Sequence, residues 1–89
     1  MVKSYKEIMK EHGYTDKMIE LDDLMEKIAD EDVKIRIIDC DDIEYVGKVD
    51  GYTQPADEED GFSSIDIDTE DKGGWCLKVN EIKSIEVLE

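Results

Sequence analysis

The apolar residues change their spacing near Val33, from a helical repeat to strict alternation, and this change constrains the fold more than any other feature. Upstream, one apolar stripe recurs every three or four positions and comprises Leu21, Leu24, Met25 and Ile28. Downstream, apolar residues occupy every second position, beginning with Val33, Ile35 and Ile37. Because helices repeat every 3.6 residues and strands every two, the sequence predicts a helical segment over residues 1–32 and β-strands over 33–89.

Capping signals divide the first segment into two helices. Ser4 is followed three residues later by Glu7, which is the form of a capping box, and Gly13 is placed to end that helix in a left-handed conformation. Thr15 is placed to cap a second helix. The acidic residues of the second helix, Asp22 among them, are expected on its solvent side.

Turn and glycine signals divide the second segment into five strands. The predicted strands cover 33–38, 43–53, 62–68, 75–79 and part of 82–88. Gly47 and Gly51 lie inside the long second strand, where a glycine marks a bulge, a bend or a close backbone approach. The predicted fold class is therefore α+β and mostly β, with a helix pair followed by a five-stranded antiparallel small barrel in one domain, residues 1–89. The apolar stripe of the second helix is expected to cover an open end of this barrel.

Strand alternation also assigns faces to the aromatic residues. Tyr45 and Tyr52 lie seven positions apart in the second strand, so they are expected on opposite faces. Trp75 shares its parity with Leu77 and Val79, and it is expected in the core or over the barrel end.

The chain is strongly acidic, with 26 acidic and 11 basic side chains and a formal charge of -15. A field of that sign repels nucleic-acid phosphates and anionic membranes, so binding to DNA or to a membrane surface is not expected. The N-terminal residues carry charges where a secretory signal needs an apolar run. Together with two cysteines, Cys40 and Cys76, which are expected to be reduced, this predicts a cytoplasmic protein.

Two segments of the strand region resemble the Sm-like (LSm) family. Residues 44–49, EYVGKV, are similar to that family's second-strand pattern of an apolar or aromatic residue, Gly, any residue, then Leu or Val. Residues 77–85, LKVNEIKSI, are similar to its second motif, in which one apolar strand turns abruptly into the next. The resemblance covers residues 33–89 and implies a five-stranded bent barrel, ring assembly and binding of single-stranded RNA. Where the family often has an Arg-Gly step between the last two strands, this chain has Asn80 and Glu81.

Candidate contact residues follow from the same pattern. A local basic face for RNA or another partner would comprise Lys34, Arg36, Lys48, Lys78 and Lys83, with Tyr52 and Asn80 as further contacts. His12 is the only histidine, and its spacing from Cys40 and Cys76 matches no zinc motif. The sequence predicts no catalytic residue, no cofactor and no metal site.

Residues 57–71 hold eight acidic side chains with no basic residue among them. This stretch is interpreted either as a weak divalent-cation site or as a solvated acidic edge that blocks strand-to-strand aggregation. The leading hypothesis for the whole chain is a noncatalytic interaction module that binds a protein partner or associates with itself. The alternatives are a single-stranded RNA-binding ring and, third, weak cation binding.

Overall fold

Two helices precede a five-stranded antiparallel sheet, which confirms the predicted fold class. The computed structural model describes residues 4–55 and 59–88; residues 56–58, within the predicted loop over 54–61, lie outside the described part. The helices are α1 (Tyr5–Glu11) and α2 (Asp16–Ile28). The strands are β1 (Lys34–Asp39), β2 (Glu44–Thr53), β3 (Ser64–Thr69), β4 (Gly73–Lys78) and β5 (Ile82–Val87), with a short 3₁₀ helix, Val79–Glu81, between the last two.

Both helices begin at the residues that the sequence predicts. The Ser4 hydroxyl accepts a hydrogen bond from the Glu7 N–H at 3.2 Å. The Thr15 hydroxyl does the same for the Met18 N–H at 3.1 Å. Gly13 has φ +96°, the left-handed conformation that ends α1 without a side-chain clash.

The strands are hydrogen-bonded in the order β4-β3-β2-β1-β5, so β4 and β5 are the outer strands. The register between β2 and β3 shifts between Val49 and Gly51, a bulge close to the predicted point of curvature. At Gly47 the backbones of β2 and β3 approach closely, and a Cβ there would overlap the backbone carbonyl of Asp68 on β3. The prediction that glycines shape the second strand is confirmed at both positions.

The core lies between α2 and one face of the sheet. Its buried residues on α2 are Ile19, Leu21, Met25 and Ile28, and on the sheet they include Ile35, Ile37, Ile65 and Ile67. The apolar stripe of α2 therefore packs against the sheet. None of the helices among the described residues is long and apolar enough to cross a membrane.

One prediction about aromatic side chains was wrong. Tyr45 pairs across the sheet with buried Ile37, and Tyr52 pairs with buried Ile65, so both tyrosines face the core. The bulge between them adds one residue and reverses the parity on which the prediction depended. Trp75 is 45% exposed on outer strand β4, but it pairs with buried Ile67 and its ring packs against that of Tyr45 with centroids 5.5 Å apart, so it lies at the edge of the core on the predicted face.

Candidate functional site

The main candidate site is a cavity of about 410 Å³ between α1, the C-terminal part of α2 and the end of β2, and we call it the α1 cavity. Its lining residues are Tyr5, Ile8, Met9, His12, Glu26, Tyr52, Gln54, Pro55 and Gly61. This volume is within the range of ordinary ligand pockets, and most of the lining is apolar or aromatic.

One face of α1 forms a wall of the cavity. Tyr5, Ile8, Met9 and His12 fall at i, i+3, i+4 and i+7, so the helix brings all four to one side. Met9 is buried in the core, whereas Tyr5 is 54% and Ile8 43% exposed. A short helix with two large side chains left exposed beside a cavity is a candidate contact surface.

Asp22 holds two sides of the cavity together, and its predicted place on the solvent side of α2 was wrong. It is 0% exposed. Its Oδ2 accepts a hydrogen bond from the Tyr5 hydroxyl at 3.0 Å, and its Oδ1 accepts one from the Tyr52 hydroxyl at 2.7 Å. Because these bonds replace water, a carboxylate is tolerated on the buried side of the helix. Asp22 thus joins α1, α2 and β2.

Carboxylates lie close to both tyrosines of the cavity wall. Burial raises the pKa of the Tyr5 hydroxyl far above its usual value, and the nearby carboxylates Asp22, Asp23 and Glu26 raise it further. Burial is also the largest cause of the raised pKa of Tyr52, and its hydrogen bond to Asp22 is the second cause. Both hydroxyls therefore remain protonated donors at neutral pH.

A second tyrosine contact fixes the opposite end of α1. The Tyr14 hydroxyl donates to the Gly61 carbonyl at 3.1 Å and accepts from the Ser63 N–H at 2.8 Å. The rings of Tyr14 and Phe62 pack with centroids 5.4 Å apart. The junction of the two helices is therefore attached to the segment that leads into β3.

The predicted contact residues do not form one site. Lys34 and Lys48 are cross-strand neighbours, and Arg36 follows two positions along β1, so these three share the sheet face that points away from the core. Lys78 ends the outer strand β4, and Asn80 is exposed in the 3₁₀ helix beyond it. Among the predicted contacts that the structure describes, Tyr52 alone lines the α1 cavity.

Most of the predicted basic face is paired with carboxylates of the same chain. Arg36 lies 3.2 Å from Glu44 and 3.1 Å from Glu86. The other three pairs are Lys48 with Asp32 at 3.3 Å, Lys78 with Asp60 at 3.2 Å and Lys83 with Asp42 at 2.7 Å. Exposed pairs of this kind stabilise a fold by no more than about 1 kcal/mol each, but they cancel local positive charge.

Metal ligands are not clustered within residues 4–55 and 59–88, where no three His, Cys, Asp or Glu side chains stand close enough to hold an ion. Of the predicted acidic stretch over 57–71, residues 57 and 58 lie outside that range. His12 lines the α1 cavity, while Cys40 is near the carbonyl of Asn80, with its Sγ 3.8 Å from that oxygen.

Sequence reasoning missed most of the α1 cavity. The helical spacing of Tyr5, Ile8, Met9 and His12 was visible, but it does not reveal which of them the core covers. The partners of Asp22 lie 17 residues before it and 30 residues after it, and no local pattern signals such contacts. The one available signal was that Asp22, an acidic residue, stands beside the apolar stripe of α2 in the helical repeat.

Comparison of the chain with protein-family models, with curated proteins and with solved structures finds no match.

Proposed function

We propose that this chain is a noncatalytic interaction module whose acidic surface binds a basic protein partner. One observation carries the proposal: four of the five basic side chains predicted to form a local positive face are paired with carboxylates of the chain itself. With 26 acidic and 11 basic residues in all, the surface that a partner meets is dominated by carboxylates. Such a field attracts a cationic protein and aligns it before contact.

The same pairs weigh against single-stranded RNA as the ligand. A phosphate approaching Arg36 must displace Glu44 or Glu86, and one approaching Lys48 must displace Asp32. Lys48 is also the cross-strand neighbour of Asp68. RNA affinity depends mainly on unopposed cations along the phosphate path, and the sheet face offers alternating charges instead.

An oligoarginine peptide and a single-stranded oligouridylate separate the two ligand classes. At low salt, fluorescence anisotropy should detect binding of the labelled peptide, and the affinity should fall steeply as sodium chloride is added, because the attraction is electrostatic. The oligouridylate should not bind under the same conditions. Binding of the RNA at low salt, or failure of the peptide to bind there, contradicts the proposal.

Self-association is a second candidate, favoured by the outer strands of the sheet. Trp75 on β4 and Val87 on β5 are both exposed, and each strand has one side with no neighbouring strand in the described sheet. The Sm-like resemblance, with its implied rings, belongs to this candidate, and the strand order with a short 3₁₀ link between β4 and β5 supports it. Exposed edges can pair with another copy.

Light scattering tests the second candidate. A hexamer or heptamer that Val87→Lys converts to monomer is the expected result for assembly through the outer strands. A monomeric wild-type chain at high concentration contradicts assembly and leaves the basic partner as the sole candidate. A cytoplasmic location is part of the proposal in either case, and the exposed, reduced thiols of Cys40 and Cys76 are compatible with it.

A further inference from the structure

The α1 cavity joins aromatic walls to a negative field, and that combination selects a particular kind of ligand. Tyr5, Ile8 and Met9 supply an apolar wall from α1, and Tyr52 and Pro55 face it from the end of β2. Hydrocarbon and aromatic surface of this kind excludes water from whatever enters and favours a ligand with an apolar body.

Among the described residues, the charged groups that line the cavity or raise the pKa of its tyrosines are carboxylates. Glu26 stands in the lining, Asp22 lies buried behind the two tyrosine hydroxyls, and Asp23 is close enough to affect Tyr5. Among the lining residues that the structure describes, none is a lysine or an arginine. Within residues 4–55 and 59–88, no cationic side chain lies within ion-pair distance of Asp22 or Glu26.

The buried carboxylate makes the tyrosines better hosts for a cation. Each hydroxyl donates a hydrogen bond to Asp22, at 3.0 Å from Tyr5 and 2.7 Å from Tyr52, so the negative charge of the carboxylate polarises both rings. A cation near an electron-rich ring face is stabilised by about 0.5–1 kcal/mol at an exposed site and by more when water is excluded. The two bonds to Asp22 also limit the motion of the hydroxyl ends of both tyrosines.

We infer that the α1 cavity receives an arginine side chain of the basic protein partner. The arginine stem packs along Ile8, Met9 and Pro55, and the guanidinium lies against the tyrosines with Glu26 as its counter-ion. Arginine fits better than lysine because its planar, weakly hydrated head stacks on aromatic rings and pairs with a carboxylate through two parallel hydrogen bonds. This inference rests on the proposed function and gives it a site.

Two pairs of matched variants test the cavity. Ile8→Trp fills it, whereas Ile43→Trp makes the same change at a side chain that is also 43% exposed but lies elsewhere. Glu26→Gln removes the lining charge, whereas Glu20→Gln removes one charge from the exposed side of the same helix. Far-ultraviolet circular dichroism and urea midpoints verify that all four variants fold.

The labelled oligoarginine peptide is the probe, and anisotropy is the readout. Ile8→Trp should weaken its binding by roughly tenfold, and Glu26→Gln by roughly threefold, as expected for loss of a pocket and of one partly desolvated ion pair. Ile43→Trp and Glu20→Gln should remain within about twofold of wild type, the effect of one distant charge or surface change. When the ¹⁵N-labelled chain is titrated with the peptide, the amide NMR signals of the cavity-lining residues should shift first.

Several results overturn this inference without touching the proposed function. Equal binding by all four variants, or amide shifts spread over the acidic surface, would place the peptide elsewhere while the acidic module still binds it. An oligolysine peptide that binds as tightly and loses as much affinity with Ile8→Trp would remove the preference for arginine. Failure of the wild-type chain to bind oligoarginine at low salt would end both proposals.

Discussion

At the scale of single residues, Asp22 is the side chain on which the cavity most depends. It is fully buried on α2 and accepts one hydrogen bond from a half-buried tyrosine, Tyr52, and one from an exposed tyrosine, Tyr5. The two donors therefore differ in how easily water can replace them. That difference allows their contributions to be separated by experiment.

Tyr52→Phe should destabilise the chain more than Tyr5→Phe. Loss of the Tyr52 hydroxyl leaves one oxygen of a buried carboxylate without its donor and should lower the free energy of unfolding by about 2 kcal/mol. At the exposed Tyr5 position water can reach the other oxygen, so the same change should cost under about 1 kcal/mol. Urea denaturation of both variants gives the comparison. A Tyr5→Phe effect as large as that of Tyr52→Phe would show that water does not reach Asp22.

Asp39 gives the chain an acid-dependent element of stability. Its carboxylate accepts hydrogen bonds from the Ile43 and Asp41 N–H groups, each at 2.9 Å, and from the Tyr45 hydroxyl at 3.1 Å. The bond from Ile43 is the main cause that lowers the pKa of Asp39 below its ordinary value of 3.8. Since the folded state lowers this pKa, the stabilisation is fully present above 3.8 and is lost as the pH falls through the lowered value.

The urea midpoint of Asp39→Ala should therefore lie well below that of wild type at neutral pH, and the gap should narrow as the solution is acidified below pH 3.8. The control is Asp41→Ala, the same change at an exposed carboxylate in the same turn, which should shift the midpoint little at any pH. A gap that stays constant down to the lowest accessible pH would mean that the carboxylate charge contributes nothing to the turn.

At the scale of elements, the long strand β2 determines the curvature of the sheet. Its bulge between Val49 and Gly51 turns the second half of the strand, and Gly47 lets β3 pass close to its backbone. Glycine is required there by contact rather than by its φ angle, because any Cβ would overlap the Asp68 carbonyl.

Gly47→Ala should lower the free energy of unfolding by about 3 kcal/mol, because a methyl group pressed against backbone separates β2 from β3. Gly74→Ala on β4 is the matched control: its Cβ would meet nothing within 4 Å, so the change should stay within about 0.5 kcal/mol of wild type. Urea denaturation of both variants is sufficient. A small loss of stability in Gly47→Ala would contradict this account, because it would mean that β2 and β3 can move apart at little cost in free energy.

The elements themselves were predictable because their signals are local. The caps at Ser4 and Thr15, the left-handed Gly13 and the alternation after Val33 each depend on a few neighbouring residues. The faces of Tyr45 and Tyr52 were not predictable, since one bulge residue reverses the alternation and glycine positions alone do not locate it. The cavity was missed for a related reason: its walls meet only through contacts between α1, α2 and β2.

At the scale of the whole molecule, the dominant quantity is the formal charge of -15, which the composition gives without any structure. The molecule measures 48 × 27 × 22 Å, so at very low salt its charges interact across its full width. The Debye length is roughly 30 Å at about 0.01 M salt and falls to roughly 8 Å at about 0.15 M. At the higher salt concentration only charges that lie close together still interact. Added salt therefore removes the repulsion between distant carboxylates, whereas the attraction within the short ion pairs is weakened less.

Adding sodium chloride over that range should therefore stabilise the fold and raise the thermal midpoint by about 5 °C, the shift that corresponds to roughly 1 kcal/mol in a domain of this size. Differential scanning calorimetry measures it directly. Potassium chloride should act equally, because screening depends on ionic strength and not on the identity of the cation. A midpoint that falls with salt would mean that the exposed ion pairs outweigh the excess of carboxylates. A rise produced by calcium at concentrations too low to screen would instead show that the folded chain binds this cation, as the third sequence hypothesis proposes.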